Sequence, residues 1–173
     1  MSSSFSEPPL EPPPDELAEP APFTSAEFGA WRGMLRVHAA VFRALDARLL
    51  AEHGFGVDAY GVLVTLVGAQ DGLLTIGDLG ERRNLSPSGI SRSVDRLATI
   101  GLVERTTNPA DGRSLLVGLT AQGLTRLRAA QVTHHETVRE LMLERLGEQD
   151  QKLLGRLWEK AMPGAVTSDI WPL

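Results

Sequence analysis

Apolar and aromatic side chains recur every three or four positions over the first regular segment of the chain. The stripe consists of Phe28, Trp31, Leu35, His38, Phe42, Leu45 and Leu49, and most arginines of the segment lie off it. Such a period is typical of an amphipathic helix with one buried face. We therefore predict a long helix over about residues 25–52, ending near Gly54, because glycine commonly terminates helices.

A second, shorter helix is predicted directly after this glycine. Asp58 is placed to cap its N-terminus. Its apolar positions are Tyr60, Leu63, Leu66 and Val67. The Asp71-Gly72 pair that follows is typical of a turn.

A third helix, over about residues 75–83, has clear start and stop signals. Thr75 and Asp78 have the spacing of a capping box, in which each side chain serves a backbone amide at the helix start. Asn84 tolerates the left-handed conformation that often ends a helix. The next helix begins only a few residues later, so the pair has the spacing of a helix-turn-helix.

The fourth helix, over about residues 87–100, has two chemically different sides. It starts at Ser86-Pro87, a hydroxyl cap followed by a proline in the first helical position. One side is apolar and consists of Ile90, Val94 and Leu97, with Ala98 at its edge. The other side consists of Ser88, Gly89, Arg92, Asp95 and Arg96.

Small residues allow close approach to a DNA groove, and guanidinium groups bind base edges and phosphates. We therefore interpret the second side as a surface that enters the major groove. The alternative is an ordinary solvated surface on which Arg92 and Arg96 pair with Asp95 or Glu104.

A β-hairpin is predicted next, because residues 102–107 and 114–119 are β-compatible and flank a turn rich in Asn, Pro, Asp and Gly. A hairpin after such a helix is a wing. Arg113 at its edge suits a narrow minor groove, whose negative potential attracts arginine. The alternative is that Arg113 is an ordinary turn residue.

Two more helices complete the chain. Thr120 caps a long helix over about residues 121–146, and a last helix follows Gly147 and ends at Pro163-Gly164. The apolar stripes of the terminal helices form either a monomeric core or a dimer interface. We favour a dimer, because long helices beside a small winged domain have little else to bury against, and two-fold symmetry matches a palindromic site.

The acidic charge of the protein belongs to one end of the chain. The 173 residues carry a net charge of −5, but the first 30 hold six acids and no base, so residues 31–173 carry +1. Seven of the eleven prolines lie in residues 1–22, which predicts a disordered acidic tail. The global charge therefore does not argue against a nucleic-acid partner.

Several classes of protein are excluded by composition. The chain has no cysteine, which excludes disulfides, thiol nucleophiles and thiol-based redox sensors. We find no secretory signal and no apolar run long enough to span a membrane, so we expect a cytoplasmic protein.

The ordered motifs of the central region resemble the MarR-type winged helix-turn-helix transcriptional regulators. The motifs are Val94-Asp95-Arg96-Leu97, Gly101-Leu102-Val103-Glu104-Arg105, Asp111-Gly112-Arg113 and Leu119-Thr120-Ala121-Gln122-Gly123. The resemblance implies a mainly α fold with a small β-hairpin wing, and a helical dimerisation region formed by the N- and C-terminal helices. It divides the chain into a tail (1–22), a first dimerisation helix (23–57), a DNA-binding domain (58–120), C-terminal dimerisation helices (121–162) and a C-terminal tail (163–173).

The resemblance also implies a function. Members are homodimers that bind a pseudo-palindromic operator in double-stranded DNA, and most are repressors that a small aromatic or phenolic ligand releases. The positions that match the family's DNA contacts are Ser86, Ser88, Gly89, Ser91, Arg92, Arg96, Asp111 and Arg113. Many members have a second arginine where this chain has Gly112, which removes one cation from the wing.

A ligand site is a further expectation from the resemblance. The family crevice is expected to include Trp31, Arg36, His38 and Tyr60, whose guanidinium and rings suit an aromatic carboxylate. For His38 the alternative is a hydrogen-bonded core histidine. His134-His135-Glu136 suggests a metal site, but adjacent helical positions point about 100° apart, so we expect no metal and no other cofactor.

Two rival functions remain. The first is a winged-helix protein–protein interaction module without specific DNA readout. The second is an enzyme, which the sequence disfavours, because it shows no nucleophile–base pair, metal cluster or phosphate-binding loop.

Overall fold

The structure, a computed structural model, describes residues 21–166, without the side chains of Gln70, Gly112 and Arg113. The predicted disordered tail lies almost entirely outside the described residues, and so does most of the C-terminal tail. The chain divides into two compact units, residues 1–35 and residues 36–173, and the first helix contributes to both.

Six helices and three short strands make up the described part of the chain. The helices are α1 (Ser25–His53), α2 (Val57–Val67), α3 (Ile76–Arg83), α4 (Pro87–Thr99), α5 (Ala121–Leu141) and α6 (Glu148–Ala161). The strands are β1 (Leu73–Thr75), β2 (Val103–Asn108) and β3 (Asp111–Leu119), and they form an antiparallel sheet in the order β1-β3-β2. The predicted fold class, mainly α with a small β-hairpin, is confirmed.

The local signals around α3 and α4 act as predicted. The Thr75 hydroxyl accepts the Asp78 amide at 3.1 Å and donates to the Asp78 carboxylate at 2.7 Å. Asn84 ends α3 in the left-handed conformation with φ 50°. The Ser86 hydroxyl then accepts the Gly89 amide at 3.2 Å, so that α4 begins at Pro87.

The predicted cap of α2 is wrong. Asp58 lies in the first turn of α2, and the residue at the cap position is Gly56. The carboxylate that serves the helix start comes from α1, where Asp46 accepts the Val57 amide at 2.9 Å. A side chain on Gly56 would collide with this carboxylate, which explains why glycine occupies the position.

Strand β1 was not predicted. Its three residues pair with the far half of β3, and Leu74 lies opposite Val117. Both side chains are buried, so the strand closes one edge of the core. A strand of three residues is too short to show an alternating pattern in the sequence.

The predicted helix over residues 121–146 is too long at its C-terminal end. Helix α5 stops at Leu141, and a separate 3-10 turn covers Leu143–Arg145. The side-chain amide of Gln151 in α6 donates to the carbonyls of Leu143 and Leu146, both at 3.0 Å. Binding of these free carbonyls by a side chain from the next helix stabilises the break.

One core holds the helix-turn-helix and the sheet together in the larger unit. Its fully buried side chains include Leu49, Tyr60, Leu63, Leu66, Leu79, Ile90, Val94, Leu97, Leu102 and Leu127. The stripe of α1 joins this core only in part, since Leu45 and Leu49 are buried whereas Phe42 is 44% exposed. The alternative of a purely monomeric core therefore leaves much of the predicted stripe uncovered.

A polar seam joins the end of α1 to α5. The buried Thr133 hydroxyl donates its proton to Glu52 at 2.7 Å. His53 Nε2 lies 2.9 Å from the oxygen of the same hydroxyl, so it must be the donor in that hydrogen bond. Arg48 donates to the buried Thr137 hydroxyl at 3.3 Å. These bonds fix the last turns of α1 against α5.

The start of α5 packs directly on the backbone that follows α4. Thr120 donates through its hydroxyl to the Gly101 carbonyl at 2.7 Å and accepts the Gly123 amide at 2.9 Å. A Cβ on Gly123 would overlap the Leu102 carbonyl. The glycine of the Leu-Thr-x-x-Gly motif is therefore required by this close approach.

We expect Gly123→Ala to lower the free energy of unfolding by about 1–3 kcal/mol or more, because the backbone of residue 102 must shift. The control is Gly155→Ala in α6, where nothing lies within 4 Å of the added Cβ. That change is expected to stabilise the protein by about 0.5–1 kcal/mol. Urea denaturation of both variants measures the effects, and equal effects would contradict the role of Gly123.

Candidate nucleic-acid interface

Helix α4 presents its polar side to solvent while its apolar side is buried. Ile90, Val94 and Leu97 are at most 1% exposed. Ser88, Arg92, Asp95 and Arg96 are exposed, and Gly89 and Ser91 are half-buried beside them. The predicted residues of this helix thus share one accessible surface, which begins at Ser86.

The side chains of Arg92 and Arg96 lie against the preceding turn of their own helix. Arg92 Nε donates to the Ser88 carbonyl at 3.2 Å, and Arg96 Nε donates to the Arg92 carbonyl at 3.4 Å. Within the part of the chain that the structure describes, neither guanidinium forms an ion pair. Their terminal nitrogens therefore remain available for a bidentate acceptor such as a base edge or a phosphate.

Asp95 does not pair with either of these arginines. Its carboxylate accepts from Arg105 of β2 at 2.6 Å, and this ion pair joins α4 to the hairpin. Arg105 was missed as a candidate residue. Its only signal in the sequence was its place in the Gly-Leu-Val-Glu-Arg motif, since an isolated charge on a strand does not show which helix it faces.

Side-chain hydrogen bonds organise the tip of the hairpin. The amide group of Asn108 donates to the Ser114 hydroxyl at 2.9 Å and accepts the Ala110 backbone amide at 3.0 Å. Ser114 in turn donates to the Asp111 carbonyl at 3.1 Å. Asp111 is exposed at the start of β3, whereas the side chain of Arg113 lies outside the described part of the structure.

Helix α3 is held against α2 by an arginine. The guanidinium of Arg83 lies over Gly61, where a side chain would overlap it. Burial lowers the pKa of Arg83, and the charge of Asp58 partly offsets this effect. The group stays charged at neutral pH because the ordinary arginine pKa is so high.

A crevice of about 640 Å³ lies on the other flank of α4. Its walls come from the end of α1, the start of α2 and helix α4. They include apolar residues, two acids (Asp46 and Asp58) and the two arginines Arg92 and Arg96. The polar surface of α4 and the crevice therefore share their arginines.

Comparisons with known proteins agree on one family. A family model described as MarR family matches residues 53–114. A crystal structure of Sco3205, a MarR family transcriptional regulator from Streptomyces coelicolor in complex with DNA, superimposes with a TM-score of 0.75 and 29% identity. The match covers 88% of this chain and 95% of that one. The chain is thus similar to MarR-family regulators in both sequence and fold.

Curated relatives of this chain are also regulators. An uncharacterized HTH-type transcriptional regulator from Mycobacterium leprae is 32% identical over 75 residues, which are 43% of this chain and 52% of that protein. The HTH-type transcriptional repressor YetL from Bacillus subtilis is 28% identical over 113 residues, 64% of this chain and 68% of YetL. The chain thus spans about half the length of the mycobacterial protein. MarR-family regulators are not enzymes, as the sequence led us to expect.

Within the larger unit, the predicted ligand residues Arg36, His38 and Tyr60 do not share a site. Tyr60 is buried in the core, where its ring stacks on His134 at 4.9 Å. His38 is exposed and stacks on Phe42 at 4.2 Å, so the alternative of a core histidine is wrong. Arg36 is exposed, and neither it nor His38 or Tyr60 lines the crevice. Trp31 belongs to the smaller unit and is 50% exposed there.

The His134-His135-Glu136 sequence has a packing role at its first residue. Burial lowers the pKa of His134, and the neighbouring His135 lowers it further. The ring of His134 packs against the ring of Tyr60. No group of three potential metal ligands occurs among the residues that the structure describes. None of the described helices is long and apolar enough to cross a membrane.

Burial raises the pKa of Tyr60 to about 12. The unfolded chain ionises its tyrosine near pH 10, so this residue stabilises the fold below pH 10, and the contribution is lost as pH rises toward 12. The protein has one tyrosine, so its ultraviolet absorbance titration reports on Tyr60 alone. We expect ionisation near pH 12 in the native protein and near pH 10 in denaturant; native ionisation near pH 10 would show that the ring is exposed.

Proposed function

We propose that this protein is a sequence-specific DNA-binding transcriptional regulator of the MarR family, acting in the cytoplasm as a homodimeric repressor. The observation that carries the proposal is the exposed side of α4. Two guanidinium groups, which form no ion pair with any described residue, share this accessible surface with several small residues. Helices of this shape and chemistry fit the major groove.

The residues of this surface have different roles in the proposed complex. Ser86, Ser88, Gly89 and Ser91 permit close approach of α4 to the groove, and the hydroxyls bind phosphate or base edges. Arg92, near the middle of the helix, is the proposed base reader. Arg96 lies one turn further along, where a phosphate contact suits it better.

The hairpin is the proposed wing. Asp111 and Arg113 lie beyond the turn that Asn108 holds in shape, and Arg113 is the residue that would enter the flanking minor groove. Gly112 leaves the tip without a second arginine. We therefore expect the wing to add less affinity than the helix does.

A second copy of the chain is the proposed partner of the uncovered helix faces. On α6, Leu153 is 45% exposed, Leu157 52% and Trp158 38%. In the smaller unit, Phe28 and Trp31 are about half exposed. Large aromatic and aliphatic side chains in rows are typical of surfaces that are buried on association. Two-fold symmetry would place the α4 helices about one DNA turn, ~10 bp, apart.

Release by a small ligand is part of the proposal. The crevice between α4 and the end of α1 is a cavity of ligand size that touches the DNA-facing helix. A small aromatic or phenolic molecule bound there would favour subunit positions that differ from the DNA-bound ones. The ligand then lowers DNA affinity only by its preference for the released state.

The test is selection of the preferred duplex from a random pool, followed by titration at fixed salt. We expect a two-fold symmetric sequence bound by a dimer, as measured by sedimentation. Arg92→Ala is expected to weaken binding to that sequence by about 1–3 kcal/mol and to relax preference at one base position per half-site. Arg128→Ala, an exposed arginine of α5, is the control with little effect. Failure to enrich any sequence would favour the rival function, a protein–protein interaction module.

The Asp95–Arg105 ion pair gives a second test, because two hypotheses predict opposite signs. If Asp95 only repels phosphate, Asp95→Asn should strengthen DNA binding. We expect weaker binding, by several-fold, because the pair positions the wing strand against α4. Glu104→Gln should strengthen binding instead, because it removes an exposed acid of the same strand that forms no ion pair within the described part of the chain. Equal strengthening by both variants would contradict the positioning role.

A further inference from the structure

The crevice beside α4 carries charges of both signs around apolar surface. Asp46 and Asp58 come from α1 and α2, and Arg92 and Arg96 come from α4. Within the described residues, no two of these four side chains form an ion pair with each other. The acids and the bases thus lie on different walls, each with capacity for a charged group of a ligand.

Apolar side chains between these walls are incompletely covered. Leu50 is 56% exposed and Ile100 is 44% exposed, although both line the crevice next to the buried Phe55. Covering such residues with the apolar body of a ligand is favourable in proportion to the area removed from water. The crevice thus combines an apolar surface with a few polar groups, as small-molecule sites commonly do.

The surroundings of the two carboxylates determine which charges a ligand of the crevice can carry. One oxygen of Asp46 already accepts the Val57 amide, so this carboxylate is fixed in place. Asp58 is exposed and near the buried cation of Arg83. A purely anionic ligand would be attracted to the arginines. It would also be repelled by both carboxylates, because it has no cationic group that could pair with them.

We propose that the crevice binds a small zwitterion: a molecule with a carboxylate, a primary amine and an apolar body, such as an amino acid with a large apolar side chain. The carboxylate would bind Arg96, with Arg92 at the mouth, and the ammonium would bind Asp58 and the free oxygen of Asp46. This inference names a ligand class for the site of the proposed function. Its coupling to DNA rests on that function.

Sharing of Arg92 and Arg96 makes the coupling direct. A carboxylate bound to these guanidinium groups occupies the donors that a phosphate or base edge would need. Ligand and DNA then lower each other's affinity by the same factor, as linkage requires.

Three probes with the same ring separate the contributions of the charges. They are L-phenylalanine, 3-phenylpropanoate, which lacks the amine, and 2-phenylethylamine, which lacks the carboxylate. We expect calorimetry on the full chain to show phenylalanine binding at least about tenfold more tightly than either analogue, since one charge-assisted contact is worth about that factor. Equal or tighter binding of 3-phenylpropanoate would overturn the proposal in favour of an anion site, and absence of binding by all three at millimolar concentration would also overturn it.

Two variants assign the ends of the ligand. Asp58→Asn should remove the preference for phenylalanine over 3-phenylpropanoate, and Arg96→Gln should remove the preference over 2-phenylethylamine. Asp58 is used rather than Asp46, which also caps α2. The controls are Glu136→Gln and Arg128→Gln, the same changes at exposed positions of α5. Retention of both preferences in the crevice variants would contradict the assignment.

The DNA titration separates this inference from the proposed function. Phenylalanine should weaken binding of the selected duplex in the wild-type chain but not in Asp58→Asn. A chain that binds its duplex and does not distinguish the three probes would refute the zwitterion site alone. A chain that distinguishes the probes but binds no duplex would refute the proposed function and leave the site.

Discussion

Burial of Ile90, Val94 and Leu97 fixes the rotation of α4 about its own axis, and the rest of the molecule's chemistry depends on that constraint. With one side held in the core, each remaining side has a fixed direction. Arg92 and Arg96 face solvent beside Ser88 and also line the crevice with Gly89, whereas Asp95 faces the hairpin. A helix of 13 residues thus presents different side chains to solvent, to the hairpin and to the crevice in a single conformation.

The surroundings of α4 are rigid for identifiable reasons. On one flank, Asp95 holds Arg105 and thereby the strand that leads to the hairpin tip. On the other, Asp46 fixes the start of α2, and the seam through Thr133 and Thr137 fixes the end of α1 against α5. Charged and buried hydrogen bonds of this kind define geometry more than they add net stability. The polar surface is therefore presented by a frame that is already organised.

The sequence predicted features whose causes are local. The capping box at Thr75, the left-handed Asn84 and the Ser86 cap act within three residues of themselves, so the boundaries of α3 and α4 could be read directly. The exposed side of α4 followed from helical periodicity alone.

Features that depend on distant residues could not be predicted in the same way. Asp46 caps a helix eleven residues away, so the nearer Asp58 was chosen wrongly. Strand β1 exists because β3 lies beside it. Three of the predicted ligand residues lie on α1 and Tyr60 lies on α2, and only tertiary packing shows that Tyr60 faces His134 and that Arg96 faces the crevice.

The close contact between Gly123 and the backbone of residue 102 makes the junction between α4 and α5 rigid. The hydrogen bond from Thr120 to the Gly101 carbonyl stabilises the same junction, so the relative movement of the two helices is restricted. A displacement of α5 is therefore expected to displace the end of α4 as well. In the proposed dimer, the distance between the two copies of α4 would then depend on the tilt of the long helices and not on a loop within one subunit.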